Sequence, residues 1–537
     1  MPVFFNSYDH GLYNYLAMSD SKRKEIFILI LCLLLGFALR FYTFDRKSLW
    51  IDEIHTFNDS RDDIRGQLSF YKENPSYLHP PLFFILTHQF YPFTKPERDL
   101  RIIPLIFGTL SIPMIYLLAR SFSPPIALPC TLSLIFMTYH ISLSQDGRAY
   151  SLTMFLGMLS LYFFIKYLKT SKKRYLVLTP FFFATLFYTS YSALPFIVLS
   201  QILWFYRVSE GNKRPPFHSF LVLNGVFFSL CIPWILFLAL NYQGQALVHP
   251  YEHKVLLSFW GIVSNMLNDW VPFAPLSIAS VILLLSFFFF SKSRANDLIL
   301  LSLFILPISG LYLYCRIFNV THFITSRYFV SFLPLFLITL FLSLDAIENR
   351  FERLKHFIRL RLVFVILFIV SNLMILQLYY QAEKEDFRGL ANYLKVQLRE
   401  GDKLFDSDMA YTPGILHYFG VYPEGRHYSI PYYKISENEI EFRRSFIFQN
   451  RRYIIYYSRT CCARYIEDGS RLWIIAGDRS RKKMKENSPA VFKGYFDGSF
   501  LNFNKFPTDA SMYLFLWDPK SPEEKGIDMP IELDRIR

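Results

Sequence analysis

Charge is scarce in this chain. Only 19% of its 537 residues are Asp, Glu, Lys or Arg, against about 25% in soluble domains. Because 53% are hydrophobic and 19% aromatic, with 58 Phe, a polytopic membrane protein is implied rather than a soluble one. Cysteine is scarce too, and its six positions follow no metal-ligand pattern. Cys32, Cys130, Cys231 and Cys315 fall in apolar runs and read as small packing residues. Cys461 and Cys462 are neighbours, between which a bridge would be strained. A Gly-rich nucleotide fingerprint, a P-loop, a Ser nucleophile elbow and a Cys–His pair are all missing, as are internal repeats and low-complexity tracts. The formal charge of +14 could suit nucleic acid. However, the Lys and Arg lie in short clusters between apolar spans, which is the positive-inside pattern, so nucleic-acid binding drops out.

What the chain has in abundance is long apolar runs. The first, Glu25 to Tyr42, follows Lys22-Arg23-Lys24 and no small-residue cleavage site comes after it, so it reads as an uncleaved signal anchor with a cytoplasmic N-terminus. Further spans are expected near 101–119, 125–143, 149–168, 175–190, 192–207, 218–240, 272–290, 298–316, 327–345 and 361–380. That makes about eleven crossings of roughly 20 residues each. With this parity the basic clusters are all cytoplasmic: Lys169 to Arg174, Arg207 to Arg214, Lys292 with Arg294, and Arg350 to Arg361. Counting "HPPLFFILTHQFYPF" (His79–Phe93) as a span would put them outside. It is short, with His88 inside and Pro92 near its end, so it suits a helix lying in the outer leaflet.

The fold expected is mainly α, a polytopic helical bundle over 1–380 with a first outer loop at 43–98, followed by a soluble α/β domain over 381–537. In that second part "DFRGLANYLKVQLREGDKLFDSD" reads as an amphipathic helix, a Gly-Asp turn and a strand. "RRYIIYYSR", "RLWIIAGD" and "SMYLFLWD" read as further strands. Polar residues converge on the outer face: "SLWIDEIHTF" (48–57), "HPP", "SLSQDGRAY" (142–150), the loop 241–254, "THFITSRY" (321–328) and everything after Tyr380.

Asp52 and Glu53 are the residues best placed for chemistry. Asp is a preferred N-cap, so the plain reading has Asp52 capping the next helix. At the edge of a low-dielectric region, adjacent carboxylates raise each other's pKa, and one could accept a proton from an incoming hydroxyl. On a helix, Asp52 and His55 share a face while Glu53 turns away. Arg148 and Arg327 open spans on the outer face, where Arg is unusual. Snorkelling explains either one, whereas bidentate pairing with a lipid phosphate explains both. His79 fits a packed imidazole as well as a phosphate contact. A metal held by Asp52, Glu53 and His55 is the weaker reading, because no second cluster stands at ligand spacing.

In series, "SLWIDEIHTF", "HPPLFFILTHQF", "RIIPLIFGTLSIPMIYLLARSF" and "SLSQDGRAYSLTMFLGMLSLYFF" resemble the GT-C membrane glycosyltransferases. The likeness is to the bacterial family 39 relatives of the dolichyl-phosphate-mannose protein mannosyltransferases and the aminoarabinose lipid A transferases. It extends to "TSRYFVSFLPLFL" and "EDFRGLANYLKVQLREGDKLF". The resemblance implies inverting transfer of a sugar from a polyprenyl-phosphate carrier to an acceptor hydroxyl of a protein, lipid or glycan. It also implies a cell inner membrane with a periplasmic active face, and no need for a nucleotide sugar or soluble cofactor. Asp52 matches the catalytic acidic position and Glu53 its neighbour; His79, Arg148 and Arg327 match residues expected near the donor phosphate; Asp146 and His55 would support them. Two departures stand out. Ile51 stands where Tyr is common, and "SQDGR" where "SQEAR" is usual, which makes Asp146 a methylene shorter and puts Gly147 in the turn.

Two rivals share the same sequence features. A polyprenyl-linked lipid flippase or transporter would place charges near the bilayer midplane and often shows repeated halves, whereas here the candidates lie at span ends. A non-catalytic scaffold would use its acids only as helix caps.

Overall fold

The computed structural model describes residues 20–73, 78–206, 215–242, 258–290, 294–317, 324–351, 359–407, 411–421, 441–458, 469–477, 481, 485–498, 510–520 and 527–528. Most of the loop 241–254, residues 321–323, the Cys461–Cys462 pair and the basic residues Arg207, Lys213, Arg214, Lys292, Arg353 and Lys355 lie outside them.

Each of the eleven apolar runs is built mainly of helix. Among the described residues, six helices are long and apolar enough to cross a membrane, and two bent pairs raise the number to eight. The remaining three runs fall short for identifiable reasons. Helix Asp20–Phe41 carries Lys22, Arg23, Lys24 and Glu25 in its first turns and Arg40 in its last. Helix Lys173–Phe187 has 15 residues, about 22 Å at 1.5 Å each, against a hydrocarbon core of roughly 30 Å. Tyr191–Phe205 is a short apolar helix in which two 3₁₀ turns flank one α-helical segment.

The bent pair Pro124–Phe136 and Thr138–Ser144 turns by 62° at Met137. A break in an apolar helix frees backbone groups that need partners from neighbouring helices. Asn372 Oδ1 meets one of them, accepting from Thr138 N at 2.9 Å, and the Thr138 hydroxyl donates back to Asn372 O at 2.8 Å. Outward-facing side chains such as Leu240 (83% exposed) and Phe289 (77%) suit contact with lipid rather than water. The stretch after His79 forms a seven-residue helix, Leu82–His88, too short to cross. It does not lie out in the lipid, because Phe83 and Phe84 are packed in the bundle core and Leu82 N bonds Tyr188 O at 3.0 Å.

After the last long helix, Leu360–Gln381, comes the amphipathic helix Phe387–Gln397, capped by Asp386 and burying Phe387, Leu390, Ala391 and Leu394. Gly401, at φ +86°, makes the turn into β1 (Lys403–Asp406), a conformation for which glycine pays no Cβ penalty. The sheet continues with β2 (Glu441–Phe448), β3 (Arg451–Ser458), β4 (Leu472–Gly477), β5 (Lys485–Phe496), β6 (Met512–Trp517) and β7 (Ile527–Asp528). Its order is β2-β3-β1-β4-β6-β5-β7, with β1 parallel to both β3 and β4 and the other pairs antiparallel. The four runs expected as strands are β1, β3, β4 and β6.

The hydrophobic core of this sheet does not stop at residue 381. Leu49, Ile54, Phe57, Phe93 and Leu100 share one buried cluster with Phe387, Leu390, Tyr453 and Trp473. The segment carrying the acidic pair is therefore packed on the sheet domain as well as on the bundle.

Candidate active site

The acidic pair lies in the first turn of a nine-residue helix, Ile51–Asp59. Trp50, not Asp52, is the N-cap, so the capping role proposed for Asp52 falls away. Trp50 N is accepted by Glu53 Oε2 at 3.4 Å and Ile51 N by Glu385 Oε2 at 2.8 Å. These carboxylates satisfy amides that the first helical turn leaves without partners. Successive residues point about 100° apart around a helix, and the two acids accordingly go to different places.

Glu53 turns inward and is fully buried. Arg101 grips it with Nε to Oε1 at 2.7 Å and Nη2 to Oε2 at 2.6 Å, the bidentate geometry that makes guanidinium–carboxylate pairs strong. The same guanidinium donates to the carbonyls of Phe44, Lys47 and Ser48, so it fixes the loop leading into the helix. Gly147 N donates to Glu53 Oε1 at 2.7 Å, and Lys384 Nζ stands 3.7 Å from the same oxygen. Burial alone would push this carboxyl up. Arg101 first, then Lys384 and the Gly147 amide, outweigh it and hold the group ionised, down at about 2. The expectation of a raised Glu53 acting beside Asp52 is thereby corrected: a saturated, buried carboxylate has no lone pair to offer a substrate. Glu53 holds the helix.

Asp52 turns the other way and stays 31% exposed. Arg327 Nη1 stands 3.6 Å from Asp52 Oδ2, and the same guanidinium lies over the rings of Trp50 (5.1 Å to the centroid) and Tyr150 (5.6 Å). From the turn just before the helix Tyr150–Thr170, Arg148 Nη1 donates to Asp52 O at 3.2 Å and Thr56 Oγ1 at 3.3 Å. Residues 52, 148 and 327 thus meet from three separate parts of the chain. Half-buried His55 and His79 complete the group. Burial, opposed by Asp52 and reinforced by Arg148, pushes His55 down to about 4. Burial with Arg148 and His55 nearby takes His79 to about 3. Both imidazoles are neutral at pH 7, so His79 can offer a phosphate one N–H but no charge.

Asp146 belongs to the closed half. Its Oδ1 accepts from Trp50 Nε1 at 2.9 Å and lies 3.4 Å from Lys384 Nζ. Burial raises its carboxyl, while Lys384 opposes the rise. The departure at Gly147 also finds its reason. A Cβ there would stand 3.2 Å from Leu100 Cβ and 3.3 Å from Glu53 Cγ, so a side chain would crowd the amide off the Glu53 carboxylate.

Sequence reasoning missed Arg101, Lys384 and Asp269, whose carboxylate accepts from the Ser326 hydroxyl next to Arg327. Arg101 carries a signal in hindsight, since a charge entering an apolar helix implies a buried partner. Lys384 carries none, lying in the charged stretch "AEKEDFR". Among the described residues no group of three or more His, Cys, Asp or Glu side chains could hold a metal ion.

Against solved structures, the chain aligns with ArnT from Cupriavidus metallidurans in its apo state over 93% of its length and 98% of the other chain, at TM-score 0.53 and 11% identity. The chain has the GT-C fold. A second structure of that ArnT, bound to undecaprenyl phosphate, aligns over 93% and 98% of the two chains at TM-score 0.52 and 10% identity. Residues 78–237 match the model of the dolichyl-phosphate-mannose-protein mannosyltransferase family, a stretch that holds His79, Arg101, Asp146 and Arg148. No curated protein sequence matches the chain.

Proposed function

We propose that this GT-C protein is an inverting glycosyltransferase, moving a sugar from a polyprenyl-phosphate carrier to an acceptor hydroxyl at the outer face of a bacterial inner membrane. The observation that carries the reading is the half-open Asp52 carboxylate with the Arg327 guanidinium 3.6 Å away. A carboxylate suited to act as a base and a cation suited to a phosphate stand together there, which supports the reading. The undecaprenyl phosphate bound in the ArnT structure of like fold and the matched mannosyltransferase family favour the same donor class.

Asp52 takes the proton of the acceptor hydroxyl as its oxygen attacks the anomeric carbon. The bond from that carbon to the lipid phosphate breaks, and the lipid phosphate leaves with the electron pair. Arg327 turns from Asp52 to the leaving phosphate, with Arg148 beside it, and a preformed cation there is worth most in the transition state, where the charge grows. Neutral His79 offers one hydrogen bond. The transfer as written uses no nucleotide sugar or soluble cofactor. The reading is tested in nanodiscs with a panel of polyprenyl-phosphate sugars. Wild type is expected to consume at least one donor and form a glycosidic product; lipid translocation without product would favour the flippase instead.

A further inference from the structure

Three consecutive residues, Glu383, Lys384 and Glu385, leave the last long helix and run directly under the segment that carries the acidic pair. Glu383 Oε2 accepts from Ser48 N at 3.0 Å and Glu385 Oε2 from Ile51 N at 2.8 Å. Between them Lys384, buried to 2% exposure, points into the closed half of the site. Its Nζ lies 3.4 Å from Asp146 Oδ1 and 3.7 Å from Glu53 Oε1, and donates to Gln145 O at 3.3 Å. On its far side the strap is tied to the sheet domain: Glu383 N bonds Asp497 Oδ2 at 3.2 Å and Asp386 N bonds Asp497 O at 3.0 Å. Asp497 directly follows β5.

A continuous line of contacts therefore leads from the sheet to the reacting groups. Lys384 touches Asp146, Asp146 holds the Trp50 indole, and the face of that indole carries Arg327, which stands over Asp52. A second line runs through Glu53 into the helix itself. Charge is also balanced in this buried space, with Glu53 and Asp146 facing Arg101 and Lys384. Four groups at these positions satisfy one another only if helix, turn and strap share one register, because a buried charge left without its partner is costly.

We propose that Lys384 is a positioning residue for the transfer reaction: it locks the Ile51–Asp59 helix and the Trp50 ring to the sheet domain, and so sets the distance between Asp52 and Arg327. The C-terminal domain is then part of how the site is built, whatever it does for the acceptor. This inference rests on the transferase reading for its activity arm only. Helix order can be measured without any substrate.

The experiment uses the full chain in nanodiscs with two variants. Lys384→Met alone leaves the two acids with one cation and is expected to lower the unfolding temperature. The charge-balanced pair Lys384→Met with Asp146→Asn is expected to unfold near the wild-type temperature. In that balanced variant, amide exchange over residues 51–59 should quicken, and kcat should fall about 10²-fold, the penalty of a misplaced reacting group, with the donor KM unchanged. A balanced variant with wild-type kcat and wild-type exchange over 51–59 would overturn the proposal. So would a loss confined to KM, which would make Lys384 a donor contact. If wild type turns over no donor, the transferase reading fails, and exchange over 51–59 alone decides the role of Lys384.

Discussion

Two arginine–carboxylate pairs sit side by side in this protein and differ in almost every respect. Glu53–Arg101 is bidentate, at 2.6 and 2.7 Å, and sealed from solvent. Asp52–Arg327 is a single 3.6 Å approach with exposures of 31% and 20%. The acids are adjacent in sequence, so composition cannot explain the contrast. The helix does: a rotation of about 100° per residue sends one carboxylate into the junction with the sheet domain and leaves the other partly exposed beside Arg327. A carboxylate whose lone pairs are all occupied fixes structure, and one with lone pairs to spare can take a proton.

The largest effect expected from breaking this comparison is at Arg101. Arg101→Met would strand the Glu53 carboxylate, and losing one partner of a buried pair costs about 3–5 kcal/mol. The variant should be poorly folded in detergent, as read by thermal unfolding. Arg327→Gln removes the equivalent cation from the open pair. Its stability should change by under about 1 kcal/mol, as for exposed pairs, while kcat falls about 10²-fold, the scale for losing one charge-stabilising donor.

Acid sharpens the comparison. The Glu53 carboxyl, ordinarily 4.5, is held at about 2 in the fold. A folded pKa below the unfolded one means that the unfolded chain binds the proton more tightly. The stability from Glu53 is therefore complete above pH 4.5 and drains away as pH falls from there toward 2. At the other end of the same helix the sign reverses. Burial, opposed by Arg148, raises the Asp59 carboxyl from 3.8 to about 7, so the folded state holds that proton more tightly and stability declines as pH rises from about 4 to 7. Asp59→Asn, the smallest change considered, should flatten this neutral-side slope and leave the acid-side loss in place. Unfolding temperature against pH for wild type, Glu53→Gln and Asp59→Asn separates the two.

The long helices were legible because their apolar runs exceed the length any soluble helix needs, and β3, β4 and β6 because charges and turns bound their apolar cores. Helix Lys173–Phe187, at 15 residues, looked like the spanning runs in composition and differed in length. The exposed setting of Asp52 beside a cation was partly legible from its place just beyond an apolar run. The division between Asp52 and Glu53 was only half visible, since helical periodicity separates their directions but not their partners. Arg101 lies 48 residues from Glu53 and Lys384 more than three hundred, and one sequence carries no signal linking residues that far apart. The strap 383–385 gave no sign of its role because its charges are local in sequence and its partners are not.

The most direct measurement is a matched pair, Asp52→Asn and Glu53→Gln, each assayed for transfer and for unfolding temperature in the same nanodiscs at pH 7. A base that sits in the open half should leave Asp52→Asn as stable as wild type but slower by about 10²- to 10⁴-fold, the range for general base catalysis. Glu53→Gln should lose stability and lose rate only as far as its helix is disordered. A stable Glu53→Gln without activity, beside an Asp52→Asn that still turns over, would contradict the assignment of chemistry to Asp52 and structure to Glu53.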